Sequence, residues 1–226
     1  MKTQQKVKDY ISKGVRKIKH RKGYGVHSPF AYGIITEVIE EKVPYYAYPV
    51  MQRVFPNNAP LPFKTACLLH RLANRFKCRT IVEIGCDGGF SLLPVGLVDS
   101  RTRMYTVATA QQEAACRQHL SWFKPVLDRT TFISNIAELP QDLKVDMLIV
   151  NGAPLRDNEA LCTWVLNNVS ETGIVFVKGI QAGCELESFW DSLCDYDDIQ
   201  VTMDLYDYGL AIRRPNFFKQ FYIVSF

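Results

Sequence analysis

Apolar positions change rhythm along the chain. Up to Lys22, Val7, Tyr10, Ile11, Val15 and Ile18 recur every three or four residues among charges, which predicts an amphipathic helix. Gly23-Tyr24-Gly25 breaks it. Ser28-Pro29 then carries the chemistry of a helix start, a hydroxyl to cap free amides followed by a ring preset for the first turn. That helix is predicted over residues 30–42. Pro44, Pro49, Pro56, Pro60 and Pro62 mark residues 43–63 as a connection. A second amphipathic helix, 63–76, places Ala66, Leu69, Leu72, Ala73 and Phe76 on one side.

From Thr80 short β-branched runs alternate with helical stretches. Strands are predicted at 80–84, 104–107, 131–134, 145–150 and 173–177, with helices over 90–98, 111–122, 157–168 and 185–194. Continuous apolar runs of this kind mark buried parallel strands, so the pattern predicts an α/β fold with a doubly wound Rossmann-like sheet. The end differs. Residues 199–205 and 210–213 flank Tyr206-Asp207-Tyr208-Gly209, which reads as an antiparallel hairpin, and 220–226 form one more β-like run.

Charge refines this picture. Among 226 residues the formal net charge is +4, but residues 1–22 hold nine basic groups and one acid, leaving a mildly acidic body. A basic leader of this sort gives salt-sensitive affinity for polyanions at most. With Tyr10 as its sole aromatic, nucleic acid is not an expected partner and a solvated helix is the expected role. No run of eighteen apolar residues is present, which predicts no transmembrane helix, and no apolar stretch follows the basic start as a secretory signal requires. Seven scattered cysteines without a C-x-x-C pair predict reduced thiols and a cytoplasmic setting. Four histidines in no ligand spacing predict no metal site.

The chemistry concentrates where the first strand of the alternating region ends, at Glu83-Ile84-Gly85-Cys86-Asp87-Gly88-Gly89. Ligands of open α/β sheets bind beyond the carboxyl ends of strands, where glycines let the backbone approach them. The spacing departs from the dinucleotide fingerprint G-x-G-x-x-G and from the phosphate loop G-x-x-x-x-G-K-[ST]. It suits a nucleoside bearing an amino-acid tail; a glycine-rich turn without ligand is the alternative.

Residues 80–97 resemble the first motif of class I methyltransferases that use S-adenosylmethionine (SAM). Gly25-Val26-His27-Ser28-Pro29-Phe30, residues 145–154, the stretch through Phe189-Trp190, and 201–213 with 221–226 resemble a bacterial group related to small-molecule O-methyltransferases. The resemblance implies SAM as cofactor, with Glu83, Gly85, Cys86, Asp87 and Gly89 around it, and Asn135 near the adenine. It implies an N-terminal basic helix and lid over residues 1–62, with His27 folding over the sheet's mouth, ahead of a methyltransferase domain at 63–226.

Three positions depart from the family pattern. Ala108 stands where the second strand normally ends in an acid that binds the ribose hydroxyls, a loss of about 2–4 kcal/mol. Asn151 stands where metal-dependent relatives place Asp, and Lys178 where an acid pair is expected. Hard cations want carboxylate oxygens, so metal-assisted transfer is not expected. Two readings follow. One is metal-independent methyl transfer to a small molecule, with no catalytic residue legible; the other is a catalytically degenerate binding or scaffold protein.

Overall fold

The computed structural model describes Gly14, Arg16, Gly23 and residues 25–56, 58–152 and 158–226. The expected leader helix lies almost wholly outside the described residues. Of its basic groups, Arg16 is described, forming a bidentate pair with Asp204 at 2.7 and 2.9 Å.

Helix α1 (Pro29–Ile34) starts as the sequence requires, with Ser28 Oγ accepting from the Ala31 amide at 3.3 Å. It does not run on as an α-helix to residue 42. It widens into a π-turn over Ile35–Ile39 and stops. The reason lies 32 residues away, where the Arg71 guanidinium donates to the carbonyls of Val38 and Ile39 and so caps the end. A short α2 (Tyr48–Gln52) interrupts the proline-rich connection, and α3 (Phe63–Arg75) follows Pro62. Ala31, Ile34, Val38, Met51 and Leu61 belong to the same buried cluster as Leu68 and Leu72 of α3 and Ile81 of the first strand. Residues 31–61 therefore complete the core of the sheet.

The remaining elements are β1 (Thr80–Ile84), α4 (Leu92–Gly96), β2 (Arg103–Val107), α5 (Ala110–Leu120), α6 (Lys124–Leu127), β3 (Thr130–Ile133), β4 (Val145–Val150), α7 (Asn158–Asn168), β5 (Val169–Lys178), α8 (Glu187–Asp195), β6 (Val201–Asp204), β7 (Tyr208–Ile212) and β8 (Gln220–Ile223). The eight strands form one sheet in the order β3-β2-β1-β4-β5-β7-β6-β8. β1 to β5 are parallel neighbours and β7 is antiparallel to both β5 and β6, as the alternating pattern and hairpin predict. One buried cluster lies on each face: Phe176 and Ile149 turn to one, Val175 and Leu148 to the other. Full burial of each such side chain stabilises by about 1.5–3 kcal/mol.

Three boundaries move for tertiary reasons. The helix expected over 90–98 shortens to five residues, because the glycine turn extends to Phe90. β5 starts at Val169 rather than Gly173, through an irregularity in its register against β4. The last run pairs as β8 parallel to β6 at the sheet edge.

Candidate functional site

In the strand order the chain reverses between β1 and β4, so their carboxyl ends diverge and leave a crevice. A cleft of about 500 Å³ occupies it, within the range of small-molecule sites. Its floor is the glycine loop. Gly85 holds φ +79°, and a Cβ there would come within 2.8 Å of the Gly152 amide nitrogen after β4. The two strand-end loops thus touch backbone to backbone, which only glycine permits. Gly89, at φ +90°, packs instead against Cys116 and Leu120 of α5. That contact sets the loop on the helix and keeps Gly89 out of the cleft lining.

Beneath the loop lies a buried polar chain. Glu83 is 0% exposed. Its carboxyl accepts from Thr106 Oγ1 at 2.7 Å and from Asn151 Nδ2 at 3.0 Å. The same amide nitrogen lies 3.1 Å from Ser91 Oγ, and the Ser91 hydroxyl donates to Asp87 at 2.6 Å. Burial first, then the nearby Asp87 and Cys86, push the Glu83 carboxyl well above the usual carboxylate range. Asn151 Oδ1 is buried and has no hydrogen-bond partner, an acceptor left open at the edge of the cleft.

The other expected residues divide. Gly85, Cys86, Asp87 and Asn151 come together in the cleft lining. The Asp87 carboxylate faces the start of α4, accepting also from the Ser91 amide at 3.1 Å. The Cys86 thiol is lowered to about 7, chiefly by a hydrogen bond from Cys116, against the effect of burial. Ala108 sits at the end of β2, its amide bonded to the Ile133 carbonyl at 2.9 Å, with no side-chain polar group to offer. Asn135 is exposed and caps the short 3₁₀ turn after β3 through the Ala137 amide, outside the cleft lining. Glu113, five residues beyond Ala108, pairs with Arg117 at 2.7 Å.

The expectation for His27 requires correction. Phe30 packs on Phe217 at 5.4 Å under the Arg214 guanidinium at 4.4 Å. Arg214 and Phe217 line a pocket with Glu171 and Thr172, in the amino-terminal part of β5. The His27–Phe30 segment therefore lies at the end of the sheet opposite the cleft, held by an aromatic and cationic cluster, and His27 is exposed there. The mouth is flanked instead by Pro60, whose carbonyl accepts from Lys178 Nζ at 3.0 Å.

Several lining residues escaped the sequence reading. Gln111, Gln112 and Ala115 bring the first turns of α5 into the cleft. Gln112 is engaged in a capping box with Thr109, which leaves Gln111 the more available amide. The Thr109-x-x-Gln112 signature located the helix start, but not the face turned to the cleft.

No protein-family model matches the sequence, and no curated protein does. Solved structures do match in fold. The chain is similar to the O-methyltransferase TomG from Streptomyces achromogenes, involved in tomaymycin synthesis and solved with SAM, at 16% identity and TM-score 0.57, over 76% of this chain and 91% of that one. It is similar to an O-methyltransferase from Bacillus cereus solved with S-adenosylhomocysteine (SAH), at 14% identity and TM-score 0.57, over 79% and 96%. A Podospora anserina methyltransferase bound to SAH matches at 18% identity and TM-score 0.55, over 83% and 96%. At these identities the likeness is one of fold: the chain is built on the Rossmann-like α/β plan of class I O-methyltransferases.

Proposed function

We propose that the protein carries out SAM-dependent methyl transfer to a small-molecule acceptor without a metal ion. The observation that carries this reading is the backbone-lined cleft at the reversal point, where Gly85 approaches Gly152 closely and Asn151 Oδ1 lacks a partner. Both suit a ligand with amine or amide donors lying along the strand ends. The SAM and SAH complexes of the similar structures support the same cofactor here. Glu83, Gly85, Cys86, Asp87 and Asn151 would shape that site, with Gln111 in place of the missing ribose acid beyond Ala108. When bound, SAM supplies an electrophilic methyl group. The chain's part is to align an acceptor with it and exclude water, which needs no obligatory catalytic side chain.

The donor set favours a metal-free site. Asn151 offers an amide and Lys178 an ammonium, while Asp87, the carboxylate among the described lining residues, is hydrogen-bonded to Ser91. That is poor chemistry for a hard divalent cation. The seven free cysteines favour a reducing, cytoplasmic setting. Among the described residues no helix is long and apolar enough to cross a membrane. Ala108 favours a second reading, a binding protein that has lost cofactor affinity.

Thermal melting with SAM, with SAH and without either separates the two. Saturation at about 100 times Kd adds roughly 2.7 kcal/mol, several degrees at this size. A melting temperature unchanged at millimolar SAH would remove the cofactor reading.

A further inference from the structure

A second cavity, of about 780 Å³, opens on the flank of the molecule between the α1 π-turn, the first half of α3 and the residues after β8. It shares no lining residue with the strand-end cleft. Its walls are aromatic, with Tyr32, Tyr48, Phe63 and Phe226. Arg71 also lines it and is only 5% exposed.

The environment of Arg71 is unusual for a buried ion. Its guanidinium donates to Val38 O at 2.5 Å, Tyr48 OH at 2.8 Å and Ile39 O at 3.2 Å. All three acceptors are neutral. Among the described residues no carboxylate forms an ion pair with it within 4.0 Å. Glu41, which senses the Arg71 charge, accepts from the amides of Lys42 and Val43 at 2.6 and 2.7 Å. Charged side chains of both signs, Glu40, Glu41, Lys42 and Lys64, stand around the rim. A guanidinium carries five N–H donors, and three are occupied. A buried charge is stabilised by an opposite one, and the planar fork of arginine matches a carboxylate.

We propose that this cavity binds an aromatic carboxylate, with its ring between the aromatic walls and its carboxylate on the Arg71 guanidinium. The volume fits such a ligand, and the walls offer offset and edge-to-face stacking.

The test uses the full chain, 2-naphthoate and its neutral analogue 2-naphthamide, titrated by calorimetry. The naphthoate is expected to bind one to one, and the amide about tenfold more weakly or worse, since a hydrogen bond to a charged partner is lost. Thr36→Trp, which fills the cavity from a partly exposed helical position, should abolish naphthoate binding while the melting temperature stays within a few degrees. Arg71→Lys keeps the charge and loses the fork, and is expected to weaken binding about tenfold. Should Arg71→Lys fail to fold, Thr36→Trp decides the matter by itself. Equal affinity for acid and amide, absence of binding by the naphthoate, or full binding retained in Thr36→Trp would each overturn the proposal.

Discussion

The strand-end cleft and the flank cavity are built in opposite ways. The cleft is made largely of backbone: two glycine-bearing loops in contact, a helix start, and side-chain carboxyls turned inward to Thr106, Asn151 and Ser91. The cavity is made of side chains: four aromatic rings and a guanidinium whose partners are all neutral. A site of the first kind tolerates wide change in sequence, because amides and carbonyls are supplied by every residue. It depends on glycine at few positions. A site of the second kind reads charge and shape, and single substitutions alter it.

The largest effect is expected from Gly85→Val. A side chain there must accept φ +79° and meet the Gly152 nitrogen at 2.8 Å. Strain and overpacking together cost about 2–4 kcal/mol, roughly 5–15 °C in melting temperature, with loss of any SAH binding. A variant that melts as the parent does would show that the loops need not touch.

Ala108→Glu restores a carboxylate at the end of β2. If the ribose lies there, SAH affinity should rise about 30- to 1000-fold by calorimetry. An unchanged affinity would place the ribose elsewhere.

The two regions should also respond to pH with opposite slopes. Burial raises the Glu83 carboxyl, so between its unfolded value and its higher folded one the native state binds the extra proton. Stability from this group is full below pH about 4.5 and falls as pH rises. Glu83→Gln should flatten that fall. His70, beside the cavity, is ringed by Tyr45, Tyr46 and Tyr48, with Nδ1 2.8 Å from the Pro94 carbonyl. Burial lowers its pKa, so the unfolded chain protonates first and stability falls as pH drops below about 6.5. His70→Gln should flatten the acid side alone. Denaturant midpoints measured from pH 4 to 8 check both, and equal profiles for parent and variants would refute the assignment.

The smallest effect belongs to Gln111→Ala. Removing one exposed amide from the cleft should weaken SAH binding about fivefold. No change would leave α5 contributing only its backbone.

Local regularities made the architecture readable. The runs at 80–84 and 145–150 are mainly apolar, broken by Glu83 and Asp146, because both faces of β1 and β4 are covered, and the Ser28-Pro29 start works within one turn of helix. The glycine loop was legible for the same reason, since φ beyond +20° restricts the residue at that position itself. The orientations of Asp87, Asn151 and Lys178 were not. Each is set by a partner that folding supplies: Ser91 across a turn, Glu83 at 68 residues' remove, and Pro60 at 118.

The lid expected from the sequence shows the same limit. The His27–Phe30 segment sits opposite the cleft because Phe30 finds Arg214 and Phe217, residues nearly two hundred positions later. Likewise no pattern near Arg71 announces that it ends a helix at Ile39 and lines a cavity with Phe226. Periodicity and turn chemistry act over a few residues, so the chain alone specified its elements, their order and a glycine-shaped turn. Which charges lie buried, which carboxyls point inward and where two cavities open depend on contacts between distant segments, and those exist only once the sheet has closed around its core.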